Sequence, residues 1–461
     1  MQKEQKKFVL SPYLIVILSF VGIILLGSFL LCLPFAHKDG QWGTYIDALF
    51  TATSATCVTG LSTYINGIGN ELTIFGQVVV LIMIEVGGLG FITFFAFFIT
   101  IFMKKLKFSD RLFLSQAVNS DTVAKVGKYV RRVVVIVIAC VILGFLLGLP
   151  VFLNIKQYSL GEALWACFFH SASAFNNAGF DLFGATSLLR GVGNEIIDSL
   201  PTWAYYYLLS YTMVLIILGG ISFMVIIEIF FDHRRPKQWS SFTRIVLLTT
   251  AILLLFGFGA FVLTDVTSGN ITVFEALFQS VTTRTAGFAA FDQTKLSVAG
   301  KAISDLLMFI GGSPLGTAGG IKTTTIFMIV LSFICFIRGR RIIAFNREYT
   351  RNSIIKAMSL VFLSIVIVFI GNIAVESFEV AAGNAQASTS NVMFEVFSAY
   401  GTVGLSCNLT PTLTVGSKIA LCILMFFGRL GPITMFQIFQ SKIDKLERKH
   451  FEYIQSDVII G

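Results

Sequence analysis

Charge is scarce in this chain: Asp, Glu, Lys and Arg make up 13% of its 461 residues, against 55% hydrophobic ones. A water-soluble core has no use for that much apolar side chain, so a soluble domain is excluded and a polytopic membrane protein is expected. Histidine is scarcer still, with His37, His170, His233 and His450 the whole set. Of these only His170 lies in a segment of membrane depth, and no serine sits in a Gly-x-Ser-x-Gly elbow. A membrane enzyme needs a base beside a nucleophile, and one histidine at that depth with no nucleophile elbow fits such an enzyme poorly. Among the seven cysteines no Cys-x-x-Cys occurs and no histidine is spaced to complete a zinc site, so they read as small buried apolar residues. Cys57 and Cys407 are set apart only by lying beside the glycine loops described below.

What is present in abundance is long apolar runs. Eight spans are expected, at residues 12–33, 72–103, 129–153, 203–231, 244–264, 302–337, 353–375 and 416–440, each long enough to cross a bilayer as a helix. The first has basic flanks and no evident small-residue cleavage site, which makes it a retained helix. The net charge of +9 is unevenly placed: the N-terminus, residues 104–132, 234–244 and 338–356 and the tail hold 25 of the 34 Lys and Arg. The positive-inside rule makes these five places cytoplasmic, with both termini inside a cell membrane, and leaves no nucleic-acid partner to invoke.

One pattern recurs four times, as Cys57-Val-Thr-Gly-Leu61, Asn176-Asn-Ala-Gly-Phe180, Arg284-Thr-Ala-Gly-Phe288 and Gly401-Thr-Val-Gly-Leu405. Each copy follows a short segment of the kind Asp47-Ala-Leu-Phe50, Glu162-Ala-Leu-Trp165, Glu275-Ala-Leu-Phe278 and, more loosely, Phe394-Glu-Val-Phe397, and each precedes a long apolar stretch. The unit is helix, short re-entrant helix, loop, helix, repeated over 1–103, 104–231, 232–337 and 338–461. The expected fold is all-α, with four helix–pore loop–helix repeats and eight transmembrane helices in pseudo-fourfold arrangement around one pore. Irregular backbone at membrane depth persists only where protein or water satisfies it, so four such loops require a shared aqueous cavity. Glycine at 60, 179, 287 and 404 lets the chain turn its carbonyl oxygens to the axis, and rings of neutral carbonyls replace the hydration shell of a monovalent cation. With no acidic ring in the loops, a divalent ion is the poorer fit.

These loops, with Gly311-Gly-Ser-Pro-Leu-Gly-Thr-Ala-Gly-Gly-Ile-Lys322, resemble the Trk/Ktr/HKT superfamily of cation transporters over nearly the whole chain. The first loop follows the first span directly, which is similar to the potassium-uptake membrane subunit of the Ktr type and unlike the longer Trk type. The resemblance implies a potassium filter at Val58, Thr59, Gly60, Leu61, Asn177, Ala178, Gly179, Phe180, Thr285, Ala286, Gly287, Phe288, Thr402, Val403, Gly404 and Leu405. Glycine at position 60 implies potassium over sodium, since members with serine there tend toward sodium. Sodium remains as a second candidate ion, activating or accompanying potassium. A homodimer in the bilayer is implied, resting on a cytosolic nucleotide-binding ring of RCK type. The chain has no Gly-rich dinucleotide fold, so the nucleotide would be on that separate partner. The basic connections 104–132 and 338–356 are the contact faces implied for it.

Below the filter, Gly311, Gly312, Ser313, Pro314, Gly316, Thr317, Gly319 and Gly320, with Lys322 at the end, cannot continue an unstrained helix. The resemblance identifies this break as an intramembrane gate. Aligning the second helix of each repeat pairs Gly87-Gly88, Gly219-Gly220, Gly311-Gly312 and Gly428-Arg429. Arg429 therefore falls at pore depth, where an arginine needs a partner or a role. It is read as a fixed charge that slows flux, or as an ion pair with Glu85. The other paired glycines read as close helix contacts. Arg284 reads as a tether to neighbouring carbonyls, His170 as a hydrogen-bonded core residue, and Asn176 and Asn177 as vestibule or bracing amides. Broken helices and repeats also mark alternating-access secondary carriers, which remain the competing reading.

Overall fold

The computed structural model describes residues 12–90, 126–184, 187–191, 194–232 and 235–431. Helices dominate, in four successive groups. The first comprises α1 (Pro12–Cys32), α2 (Tyr45–Thr56) and α3 (Ile74–Leu89); the second α4 (Val126–Phe152), α5 (Leu160–Asn176) and α6 (Thr202–Gly220). The third comprises α7 (Ser241–Phe261), α8 (Val273–Thr282), α9 (Val298–Phe309) and α10 (Thr323–Ile337); the fourth α11 (Arg351–Ala381), α12 (Thr389–Gly401) and α13 (Val415–Leu430). A hairpin of β1 (Ile343–Ala344) and β2 (Arg347–Glu348) joins the last two groups.

Four helical stretches, Tyr129–Phe152, Thr202–Gly220, Ser241–Val266 and Arg351–Ala381, have the length and apolarity to cross a membrane; Val16–Cys32, Ile74–Leu89 and Thr323–Ile337 are apolar but shorter. Two expected spans are interrupted. The run 302–337 divides into α9 and α10 around residues 310–322. The run 203–231 breaks after Gly220 and resumes at Phe223–Ile227, because the Phe223 amide donates to the Leu315 carbonyl (2.9 Å) and leaves the helical ladder. Residues 91–103 and 432–440, expected to lengthen α3 and α13, lie outside the described residues, as do most of the basic stretch 104–132 and the basic termini.

The recurrent acid before each loop has a local cause in two of the four groups. Ser159 and Thr272 cap α5 and α8, and Glu162 and Glu275 reach back to the capping amides in complete capping boxes. Asp47 in the first turn of α2 instead accepts from Lys418 Nζ on α13 at 2.7 Å. Glu395 of α12 is buried and accepts from Thr410 Oγ1 (2.9 Å), the Cys407 amide (3.1 Å) and Ser406, so it braces the segment after the fourth loop.

Packing runs cyclically. The second long helix of each group lies on the short helix of the next: α3 on α5, α6 on α8, α9 on α12, and α13 on α2. Polar ties mark three of these seams, with Trp165 Nε1 donating to Gln77 Oε1 (2.7 Å), Lys301 Nζ to Asn391 Oδ1 (2.9 Å) and Lys418 to Asp47. The four short helices therefore end around one centre.

Candidate ion site

Each short helix ends by turning its own amides back on itself. The amides of Thr59, Ala178 and Val403 donate to the carbonyls five residues earlier, at Ser54, Ser173 and Ser398 (2.8–2.9 Å), and Ala286 donates to Thr282 (2.9 Å). The Gly60 and Gly404 amides continue this with bonds of 3.1 Å to the hydroxyls of Ser54 and Ser398. To make this turn, the residue two before each glycine takes positive φ: Val58 58°, Asn177 59°, Thr285 68° and Thr402 50°. The glycines follow with φ of 104°, 69°, 80° and 99° at 60, 179, 287 and 404. Such alternation puts successive amides on one side of the strand and carbonyls on the other. With the amides spent on the helix end, the carbonyls at 58–60, 177–179, 285–287 and 402–404 accept no hydrogen bond among the described residues.

The loops meet head to tail. A Cβ on Gly60 would lie 2.6 Å from the Ala178 oxygen and 2.9 Å from Gly179 Cα; on Gly179, 2.8 Å from the Ala286 oxygen and 3.0 Å from Gly287 Cα. A Cβ on Gly287 would strike the Val403 oxygen, and one on Gly404 the Thr59 oxygen, which returns to the first loop. All sixteen candidate filter residues are thus on this ring or directly after it, with the side chains of Leu61, Phe180, Phe288 and Leu405 buried behind it. Thr59, Thr285 and Thr402 have buried hydroxyls without a partner among the described residues.

Residues 310–322 lie against this ring on one side. A Cβ on Gly319 would collide with the Thr402 hydroxyl. The segment is held from three of the four groups: Ser313 and Thr317 amides donate to the Gly220 and Gly219 carbonyls (3.2 Å each), Arg284 Nη2 donates to the Gly311 carbonyl (2.9 Å), and Arg429 donates to the Thr317 carbonyl and, in the first group, to that of Gly87. Lys322 caps the segment, its Nζ donating to the Ala318 carbonyl (2.7 Å). Gly311, Gly312, Pro314, Gly316 and Gly320 complete it, with the Ile310–Ile321 bridge closing its neck.

Arg429 is not paired with Glu85. Sequence alignment fixes depth on a helix and leaves direction open; here the guanidinium spans two carbonyls, while Glu85 Oε1 accepts from Asn176 Nδ2 at 3.0 Å. Asn176 therefore braces α3 and does not face a vestibule. The tether expected of Arg284 is present, and His170 Nε2 bonds Thr212 Oγ1 at 2.9 Å in the core. The paired glycines are close contacts: a Cβ at Gly87, Gly219 or Gly428 would run into the carbonyl of Thr56, Phe175 or Tyr400, in each case the fourth residue before a filter glycine.

Sequence reasoning missed Ser54 and Ser398, whose hydroxyls take the Gly60 and Gly404 amides; Ser173 holds the same place but contributes only its carbonyl. Ser54, Ser173 and Ser398 each precede a loop glycine by six residues in a Ser-Ala pair, a repeat that was there to be seen; Val281 replaces it in the third loop. The assembly offers unengaged carbonyls to a cation, and no group of three or more His, Cys, Asp or Glu that could hold a metal occurs among the described residues.

Comparison with known proteins agrees in extent. The family model TrkH, described as a cation transport protein, matches residues 2–449. The potassium/sodium uptake protein NtpJ of Enterococcus hirae is 34% identical across 100% of this chain and 99% of its own length. The Ktr system potassium uptake protein B of Bacillus subtilis is 35% identical across 98% and 97%. Among solved structures, the potassium transporter TrkH from Vibrio parahaemolyticus superposes with a TM-score of 0.69 at 20% identity, covering 95% of this chain and 86% of that one, a likeness of fold.

Proposed function

The chain belongs to the TrkH family of cation transport proteins, transporters and not enzymes, and from that membership we propose that it takes up potassium through a single filter built by its four glycine loops. The observation that carries the proposal is the closure of Gly60, Gly179, Gly287 and Gly404 onto one another, with the neighbouring carbonyls free of hydrogen bonds among the described residues. Neutral carbonyls crowded at this distance replace the water shell of an alkali ion, and the buried short helices hold them in place. The cyclic packing of each second helix on the next short helix supports four pseudo-equivalent repeats and eight membrane crossings in this multi-pass membrane protein. It also weakens an alternating-access reading, in which two halves rock about a midplane site.

Residues 311–322 act as the gate in this reading. They occupy the space against the ring, contain the chain's densest run of glycine, and are held by a few hydrogen bonds: the Ser313 and Thr317 amides, the Leu315 carbonyl, Arg284 and Arg429. Arg429 places a fixed positive charge beside the path and limits cation flux. The Ktr-type resemblance adds a homodimer, a separate RCK-type ring whose nucleotide state moves the gate, sodium as a second ion, and both termini in the cytoplasm. The relatives named for potassium and for potassium/sodium uptake support the choice of ions.

The test is potassium and sodium flux into liposomes containing the purified chain, with and without such a ring. Potassium-selective flux altered by the ring supports the proposal; absence of cation flux in both conditions removes it.

A further inference from the structure

Arg284 satisfies only part of its guanidinium in holding the Gly311 carbonyl. Its side chain is 7% exposed, and Nε and Nη1 have no partner among the described residues. None of the ion pairs among those residues includes it. It lines a cavity of about 20 Å³ between α6, α7, α8 and the segment 310–322, whose walls include Ile216, Leu254, Val281 and Gly312. The second polar side chain in that wall is Thr250, whose hydroxyl is also without a partner.

An arginine remains protonated at any working pH, and a buried guanidinium without a carboxylate is the costly half of a broken pair. Two N–H donors, a hydroxyl and apolar walls around a space of this size form a cradle for a small anion. The space is small, which suits a single monatomic anion better than a carboxylate or phosphate. We infer that this cavity is a binding site for a halide-sized monovalent anion, held by Arg284 and Thr250 as the counter-charge that fixes the intramembrane segment. The anion lies beside Gly312, with Arg284 bonded to the adjoining Gly311 carbonyl. Removing it leaves Arg284 bonded to Gly311 with two donors unsatisfied, which loosens the tether. The inference rests on the gate reading only for its effect on transport; occupancy of the site is independent of it.

The test begins with crystals of the full chain grown in bromide and examined by anomalous scattering. A bromide peak within hydrogen-bond distance of Arg284 and Thr250, weakened in Thr250→Val and lost in Arg284→Met, is the expected result. Density for water alone, with no bromide, overturns the inference. In liposomes of the wild-type chain, replacing chloride by gluconate on both sides is expected to change potassium flux. Thr250→Val, which leaves the tether intact, is expected to raise the chloride concentration needed by about tenfold, the worth of one hydrogen bond to a charged group. Bromide at the site with flux indifferent to chloride would retain the site and refute its action on the gate.

Discussion

Replacing Gly60 by serine tests the ring at a single atom. A Cβ at this position would stand 2.6 Å from the Ala178 carbonyl oxygen, about 0.8 Å inside the 3.4 Å at which ordinary contact begins, and 2.9 Å from Gly179 Cα. The backbone φ of 104° is itself unfavourable to any side chain, at roughly 1–3 kcal/mol. Two relaxations are open: the first loop retreats, or the second loop rotates its carbonyl away. Either moves one wall of the ring by most of an ångström and opens one side of the coordination shell. Each 1.4 kcal/mol lost from the difference between two ions is a factor of ten, so a fall of ~10-fold or more in the preference for potassium over sodium is expected. The assay is competition between rubidium tracer and either cation for entry into liposomes, normalised to the amount of folded protein. An unchanged ratio with normal protein yield would refute the assignment of Gly60 to the ring.

Two further substitutions and one deletion probe the residues around the ring. Arg429→Ala removes the bridge between the Thr317 and Gly87 carbonyls together with the fixed charge; resting potassium flux should rise several-fold, and unchanged flux from well-folded protein would refute the barrier. Deleting residues 313–318 removes the amides bonded to Gly219 and Gly220; flux at rest should increase, and wild-type flux would show that the segment is no gate. Asp181, in the connection between α5 and α6, has its carboxyl pushed up to about 6, by burial first, against hydrogen bonds from Ser187 and the Phe183 amide that pull it down. The folded protein thus holds this proton more tightly than the unfolded chain does, so stability falls as pH rises from ~4 toward about 6 and then levels off. Asp181→Asn should flatten that slope in detergent melts between those pH values, and a slope equal to wild type would contradict the assignment.

The positions of the four glycines were legible because only glycine accepts both a positive φ and a neighbouring loop at contact distance. The broken third-group helix was legible for the converse reason: so many glycines and a proline cannot be helical. Other features were hidden. Val58 is β-branched, and nothing in its type announces a φ of 58°; the bonds from Thr59 to Ser54 and from Gly60 to the Ser54 hydroxyl impose it. The break after Gly220 was hidden because its cause is a carbonyl at Leu315, nearly a hundred residues away in sequence. Arg429 bonds the carbonyls of Thr317 and Gly87 and not the expected Glu85, since alignment of helices carries no information on the direction of a long side chain. The acids at 162 and 275 repeat because capping boxes repeat, whereas Asp47 and Glu395 serve different contacts under the same alignment.

The central claim is that four loops form one cation site, and the most direct measurement is anomalous scattering from crystals of the chain grown in rubidium. Rubidium density is expected on the axis bounded by Gly60, Gly179, Gly287 and Gly404, within coordination distance of the carbonyls at Thr59, Ala178, Ala286 and Val403, and diminished when sodium replaces rubidium. Density bound to side-chain carboxylates elsewhere, with none between the loops, would contradict it.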